Sequence, residues 1–226
     1  MNSPIQRPKS LSTYIYETLL ERIATGKAAA GDRIVIDQIA EELGVSLIPV
    51  REALARLNAE GLVEHHMHRG YRVTAAPRTT DYRDLFLARL VVESGAVRNS
   101  VGLVTPRDIE ELRALNEEIA KLRPGKTFRT YKRFLELNDE FHMRLVGLAR
   151  SKTLTDLFSK LAYGSRIARD LQGRGVPDLA ENVREHRAII AALTAGNIEE
   201  AAHAAETHIK AGMERFFLDL ERLNAR

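Results

Sequence analysis

The 226-residue sequence predicts a mainly α protein in two parts. The first is an N-terminal winged helix-turn-helix of three helices plus a β-hairpin; the second is a C-terminal all-α antiparallel helical bundle. Three observations predict this. Asp37–Leu57 reads as helix, tight turn and helix, with the break at Gly44-Val45. Two short β-prone runs follow, LVEHH and YRVT, joined by a turn at Gly70. From residue 80 onward, stretches of helical period alternate with Pro and Gly breaks, and no strand signal survives. The boundaries expected are a flexible arm over 1–10, a winged helix-turn-helix over 11–76 and the helical part over 77–226.

Composition supports a helical globular protein and removes several classes. Cys is absent, which excludes a disulfide framework and a thiolate metal site. No apolar run approaches the length of a membrane span, and MNSPIQRPKS lacks the apolar core of a signal peptide. A soluble, cytoplasmic protein with no membrane partner is expected. Net charge is only +3, and residues 1–77 carry nine Lys/Arg against nine Asp/Glu. Bulk charge therefore does not signal nucleic-acid binding; the positions of the cations have to.

Taken in order, Met1–Ser10 is polar and holds two prolines, and Arg7 and Lys9 there are either phosphate contacts or part of a solvated tail. Leu11, Ile15, Leu19 and Ile23 recur every four residues, one face of a helix ending near Gly26. After the loop Ala29–Asp32, a second helix spans about Ile36 to Leu43, with Ile39, Ala40 and Leu43 inward. Gly44 can adopt the left-handed conformation that ends it. Ser46 can cap the third helix, and Pro49 lies in its first turn, where a missing N–H costs little. There Val50, Ala53, Leu54 and Leu57 form the buried stripe, leaving Ser46, Leu47, Ile48, Arg51 and Arg56 more exposed. The hairpin that follows carries His68 and Arg69 at its tip. A helix-turn-helix with such a wing is expected to meet DNA through the third helix and the tip.

Ala75–Thr80 breaks the pattern and marks the linker. A helix opens at Thr80-Asp81 and runs to about Asn99. Thr105-Pro106-Arg107-Asp108 combines a Thr cap, Pro at the first position and an acid at the third, and opens a helix that stops at Pro124-Gly125. Further helices span about Thr127–Ala149 and Lys152–Leu171. Asp178 with Glu181 opens the next, ending at Gly196, and Asn197 with Glu200 opens the last. Six helices make the bundle.

Seven histidines are present. Three lie in the wing. Of the others, His142, His186 and His208 each fall near the apolar side of a different helix, and can converge in the core to hold a metal. Asn138, four residues before His142, shares its face. His203 faces elsewhere. By burial tendency alone, a lone helical His is more often an ordinary core or surface residue.

Two resemblances sharpen these readings. Gly44, Val45, Ser46, Pro49, Val50, Arg51, Glu52, Ala53, Leu54, Leu57, Glu60, Gly61, Leu62 and Val63, followed by the His68-Arg69-Gly70 wing, resemble the DNA-binding domain of GntR-type bacterial transcription regulators. The resemblance implies DNA contacts by Ser46, Arg51 and the wing, here His68, Arg69 and Gly70; Leu47 and Ile48 are further candidates at the start of the third helix. Where many members carry Arg or Lys after the Ser, this chain has Leu47 then Ile48, and Asp37 stands where many carry Arg. Leu47 and Ile48 either meet a thymine methyl or pack on the domain. The C-terminal part resembles the FCD effector domain of the FadR-type branch, through Arg89-x-x-x-Glu93, Asn138-x-x-Phe141-His142, Glu185-His186-x-x-Ile189 and Gly196-Asn197 before His208.

The FCD resemblance implies a divalent metal, zinc or nickel, on His142, His186, His208 and Asn138, where many members have Asp at the last position. It also implies a small organic-acid effector, with Arg89, Glu93 and Arg166 beside it. The alternative for Arg89 is a surface ion pair with Glu93, and for Arg166 and Arg169 a solvated face. The expectation is a homodimeric, ligand-released repressor of a pseudo-palindromic double-stranded operator, and not an enzyme. Two rivals remain: a metal-free regulator whose cavity takes an acyl chain, and a metal-dependent hydrolase with Asp139 as base.

Overall fold

A computed structural model describes residues 10–67, 69–75, 78–123, 128–170 and 179–224, without the side chains of 128–129, 163–170, 219 and 222–224. The expected arm (1–9), His68, and the breaks at Pro124-Gly125 and Gly173–Asp178 lie outside the described residues. The chain forms two compact units, one built on residues 1–76 together with 167–173 and the other on 77–166 and 174–226.

In the first unit, α1 (Leu11–Ala24) starts at Ser10, whose hydroxyl accepts from the Thr13 N–H at 3.2 Å. Ile15, Leu19 and Ile23 are buried, but Leu11 is 49% exposed. A step of four residues overshoots one 3.6-residue turn, so the stripe drifts, and Tyr16, Leu20 and Ala24 complete the buried face instead. α2 (Ile36–Leu43) ends at Gly44, left-handed at φ 64° and ψ 37°. α3 (Leu47–Ala59) buries Val50, Ala53, Leu54 and Leu57, as expected from their spacing. Ser46 occupies the cap position, but its hydroxyl makes no capping bond.

The sheet has three strands, one more than the hairpin expected. β1 (Arg33–Ile34), β2 (Val63–His66) and β3 (Gly70–Val73) are antiparallel in the order β1-β3-β2. Arg33 pairs with Arg72 and Ile34 with Tyr71; His66 faces Gly70. β1 escapes a sequence reading because two residues show no alternation, and its partner is almost forty residues away. In the hairpin turn, Arg69 N–H donates to His66 C=O at 3.0 Å, and Gly70 takes φ +79°.

The second unit holds six helices among the described residues: α4 (Thr79–Arg98), α5 (Pro106–Lys121), α6 (Phe128–Gly147), α7 (Lys152–Asp170), α8 (Leu179–Thr194) and α9 (Ile198–Asn224). α5 opens with the expected box: Asp108 accepts from the Thr105 N–H at 2.8 Å while Thr105 accepts from the Asp108 N–H at 3.3 Å. Asn197 Oδ1 accepts from the Glu200 N–H at 3.1 Å and starts α9. α4 packs on α6 and α9, α5 on α6 and α8, and α8 on α9. Phe141 and Leu145 of α6, Ile189 and Leu193 of α8, and Ala201, Ala202 and Ala205 of α9 share one buried cluster. Among the described residues, no helix is long and apolar enough to cross a membrane.

Candidate functional site

Three helices of the second unit each turn one histidine into the bundle: His142 from α6, His186 from α8 and His208 from α9. Their sequence neighbours Phe141, Ile189 and Ile209 belong to the core, so the rings are carried inward and are 1%, 0% and 5% exposed. One ligating nitrogen from each lies within 4.8 Å of the others. His142 Nε2 and His208 Nε2 are 3.2 Å apart. His186 stacks flat on Phe141, ring centres 3.8 Å apart.

Carboxylates behind two of the rings decide which nitrogens are available. Glu93 of α4, fully buried, places Oε2 2.5 Å from His142 Nδ1, and its Oε1 accepts from Arg89 Nε at 2.8 Å. Glu185 of α8 places Oε2 2.7 Å from His208 Nδ1. Arg215 of α9 donates to both Glu185 oxygens, at 2.6 and 2.8 Å. Burial pushes the Glu93 carboxyl up, but Arg89 and His142 outweigh it and hold the group at about 2. Burial acts likewise on Glu185, and Arg215 with His208 bring it to about 2. An ionised carboxylate can only accept. Both histidines therefore carry a proton on Nδ1, and their Nε2 atoms face each other.

Burial lowers His208 to about 4 against the opposing pull of Glu185. Burial, then the neighbouring His208, His142 and Arg89 charges, hold His186 well below its ordinary value. Neutral imidazole is the form that ligates a metal.

Both His186 ring nitrogens and Asn138 Oδ1 are buried without a hydrogen-bond partner. An unpaired buried polar group costs about 1–3 kcal/mol. Two facing Nε2 lone pairs also need a cation between them, either a proton or a metal ion. A metal ion would also meet one nitrogen of His186. Two nitrogens bound to one tetrahedral ion at roughly 2.0–2.1 Å lie about 3.3 Å apart, close to the 3.2 Å between His142 and His208, with one nitrogen from each of the three rings within 4.8 Å of the others. The residues present thus fit a divalent ion.

In the first unit the polar chemistry is on the surface. Ser46 at the cap of α3, Leu47, Ile48 and Arg51 within it, and Arg69 in the wing turn are exposed. Arg22 is held by Glu42, and Arg56 by Glu60 while its guanidinium covers the Tyr16 ring at 3.7 Å. Arg72 donates to Gly31 C=O at 2.9 Å. Arg51 and Arg69 have no ion-pair partner among the described residues.

Comparison with known proteins fits both units. Residues 11–73 match the family model described as bacterial regulatory proteins, gntR family, and residues 84–211, more than half of the chain, match the FCD domain. The chain belongs to the GntR family, in its FCD-bearing, FadR-type branch. It is 32% identical over 149 residues to the Nta operon transcriptional regulator of Aminobacter aminovorans, covering 64% of this chain and 67% of that one. It is 28% identical over 210 residues to the "Probable D-xylose utilization operon transcriptional repressor" of Paenarthrobacter nicotinovorans, covering 89% and 87%. Its fold is that of E. coli McbR/YncC, with a TM-score of 0.65 at 21% identity over 94% of this chain and 100% of that one. The GntR family consists of DNA-binding transcription regulators rather than enzymes.

For this GntR chain the structure brings together His142, His186 and His208, and buries Asn138 one turn before His142. Arg89 and Glu93 do pair, but in the core and not at the surface, since Arg89 is 5% exposed. His203 is exposed, as expected. The Arg166 and Arg169 side chains lie outside the described residues. Sequence reasoning missed the Glu93–His142 contact and the Glu185–His208–Arg215 chain. One signal for the second was present: Arg215 follows His208 by seven residues, roughly two turns along one face of α9.

Proposed function

We propose that the protein is a homodimeric, cytoplasmic repressor that leaves its operator when a small carboxylate metabolite binds beside a metal ion. Residues 11–76 read DNA; residues 77–226 take the effector and dimerise. Two third helices enter successive major grooves of a pseudo-palindromic site, with Ser46, Leu47, Ile48 and Arg51 toward the bases and Arg69-Gly70 of the wing, with His68, at the backbone.

The observation that carries the effector half is the convergence of three buried imidazoles, His142, His186 and His208, with both His186 ring nitrogens lacking a hydrogen-bond partner. Three imidazoles with one amide oxygen suit zinc or nickel. When bound, the ion supplies a Lewis-acid anchor for a carboxylate. Asn138, being neutral, holds it less tightly than a carboxylate would. Glu93 and Glu185 orient the rings and keep Nδ1 protonated. Arg89, buried and bonded to the same Glu93 that holds His142, is the cation assigned to the effector carboxylate. Arg166 is the further cation assigned to the effector.

Metal analysis of the purified protein tests the site. One divalent ion per chain, lost in His186→Ala, is expected. An ion-free wild type defeats the metal and favours a metal-free, acyl-type ligand. Preference for its own promoter DNA over random duplex tests the rest, and equal binding to both defeats it.

A further inference from the structure

We infer that Ile48 is a specificity residue that reads the 5-methyl group of one thymine in each operator half-site. This rests on the DNA-reading role of α3 proposed above.

The core of the first unit is complete without Ile48. Val50, Ala53, Leu54 and Leu57 of α3 are at most 1% exposed, while Ile48 in the first turn is 69% exposed. A single exposed apolar residue is ordinary, so exposure alone decides nothing. Placement decides it. Ile48, Arg51, Glu52 and Ala55 follow the i, i+3, i+4, i+7 pattern of one helix face, and all four are exposed. Ile48 lies at the N-terminal end, the end of a recognition helix that reaches base edges. Arg51, one turn on, is exposed and has no ion-pair partner among the described residues, and the same holds for Arg69 in the wing. A cation on the same helix face as an apolar side chain suits a polyanion with an apolar group in its groove.

The floor of the major groove offers donors, acceptors and one apolar group, the thymine methyl. Isoleucine has nothing to exchange with a donor or acceptor. Set against cytosine, guanine or adenine edges, it would strip water from polar atoms and leave them unmet. Against thymine it buries methyl on methyl. Arg51 on the same face has the complementary chemistry, a fork for guanine O6 and N7. Leu47, 37% exposed, lies about a quarter-turn round and flanks the contact.

Replacing thymine by deoxyuridine removes the methyl and leaves every hydrogen-bonding group in place. The operator is first obtained by selecting duplexes from a random pool with the full-length protein. Each thymine is then replaced in turn. Wild type is expected to lose about fourfold in affinity per half-site at one position, the value of one buried methyl. Ile48→Ala should bind the thymine and deoxyuridine duplexes alike, and Arg51→Ala should keep the penalty. Since Ile48 is outside the core, the melting temperature of Ile48→Ala should match wild type. Indifference of wild type to deoxyuridine at every position overturns the inference while leaving the DNA-reading role intact. The same penalty in Ile48→Ala, or its loss in Leu47→Ala alone, also overturns it. Failure to select any sequence defeats the DNA-reading role itself.

Discussion

Arg51 and Arg89 are the same residue in opposite circumstances. Arg51 stands exposed on α3 with no ion-pair partner among the described residues; Arg89 on α4 is 5% exposed and commits its Nε to Glu93. The same contrast holds for whole regions. On the outward face of α3, charge is left in water, where an unpaired guanidinium costs nothing until a partner arrives. Around the histidines the charges are answered in advance: buried Arg89 by Glu93 and part-buried Arg215 by Glu185, each carboxylate also holding a histidine. A charge taken out of water without a partner is expensive. A surface reader can therefore be retuned one side chain at a time, whereas the buried centre stands or falls as a network.

The sharpest way to break this contrast is to remove a buried counter-charge. Glu93→Ala leaves Arg89 uncompensated in the core and is expected to lower unfolding stability by about 3–5 kcal/mol in urea titration. A loss below about 1 kcal/mol would mean that the pair behaves as if it were in water.

Acid should act in the same region. His208 is lowered from 6.5 to about 4, so between those values the unfolded chain binds a proton that the native chain does not. Stability is then full above pH 6.5 and falls toward pH 4, on the order of 3 kcal/mol from this group. Glu93 and Glu185, both held at about 2, withdraw their share only below 4.5. Melting temperatures of metal-free protein across this range check the order of loss. A midpoint unchanged from pH 7 to 4 would contradict it.

Arg215→Ala tests whether the outer contacts govern the site. It should weaken zinc binding about 10–100-fold by calorimetric titration, with partial recovery in Arg215→Lys. Unchanged affinity would reduce Arg215 to a stability element.

The smallest effect compares two caps. Thr105→Ala removes a bonded capping hydroxyl and should cost about 1 kcal/mol. Ser46→Ala removes a hydroxyl that makes no capping bond and should stay within about 0.5 kcal/mol. Equal losses in chemical denaturation would show that Ser46 caps α3 after all.

Much of the fold was legible in the sequence because it is local. The Val50–Leu57 stripe, the Gly44 turn and the Thr105-Pro106-Asp108 start each depend on residues within one or two turns. Leu11 was misplaced because a four-residue step only approximates the helical repeat. β1 was invisible because two residues carry no pattern and exist as a strand only through β3. Residue type and near-apolar position singled out the three histidines, and family resemblance made them a set. Their partners were not legible: Glu93 meets a histidine 49 residues on, and Glu185 meets residues 23 and 30 positions on. For Leu47 and Ile48 the sequence left burial and exposure open, and packing settled it.

By itself, then, this sequence determined where helices start and stop, which face of each is apolar and which family the chain resembles. Those properties follow from backbone conformation and side-chain period within a few residues. Only the tertiary structure decided which buried polar atoms meet, and which apolar atoms stay in water. Both depend on how α4, α6, α8 and α9 pack in one unit and on which α3 residues the first core leaves out. Desolvation acts on neighbours in space, and helix packing brings those together from far apart in the chain.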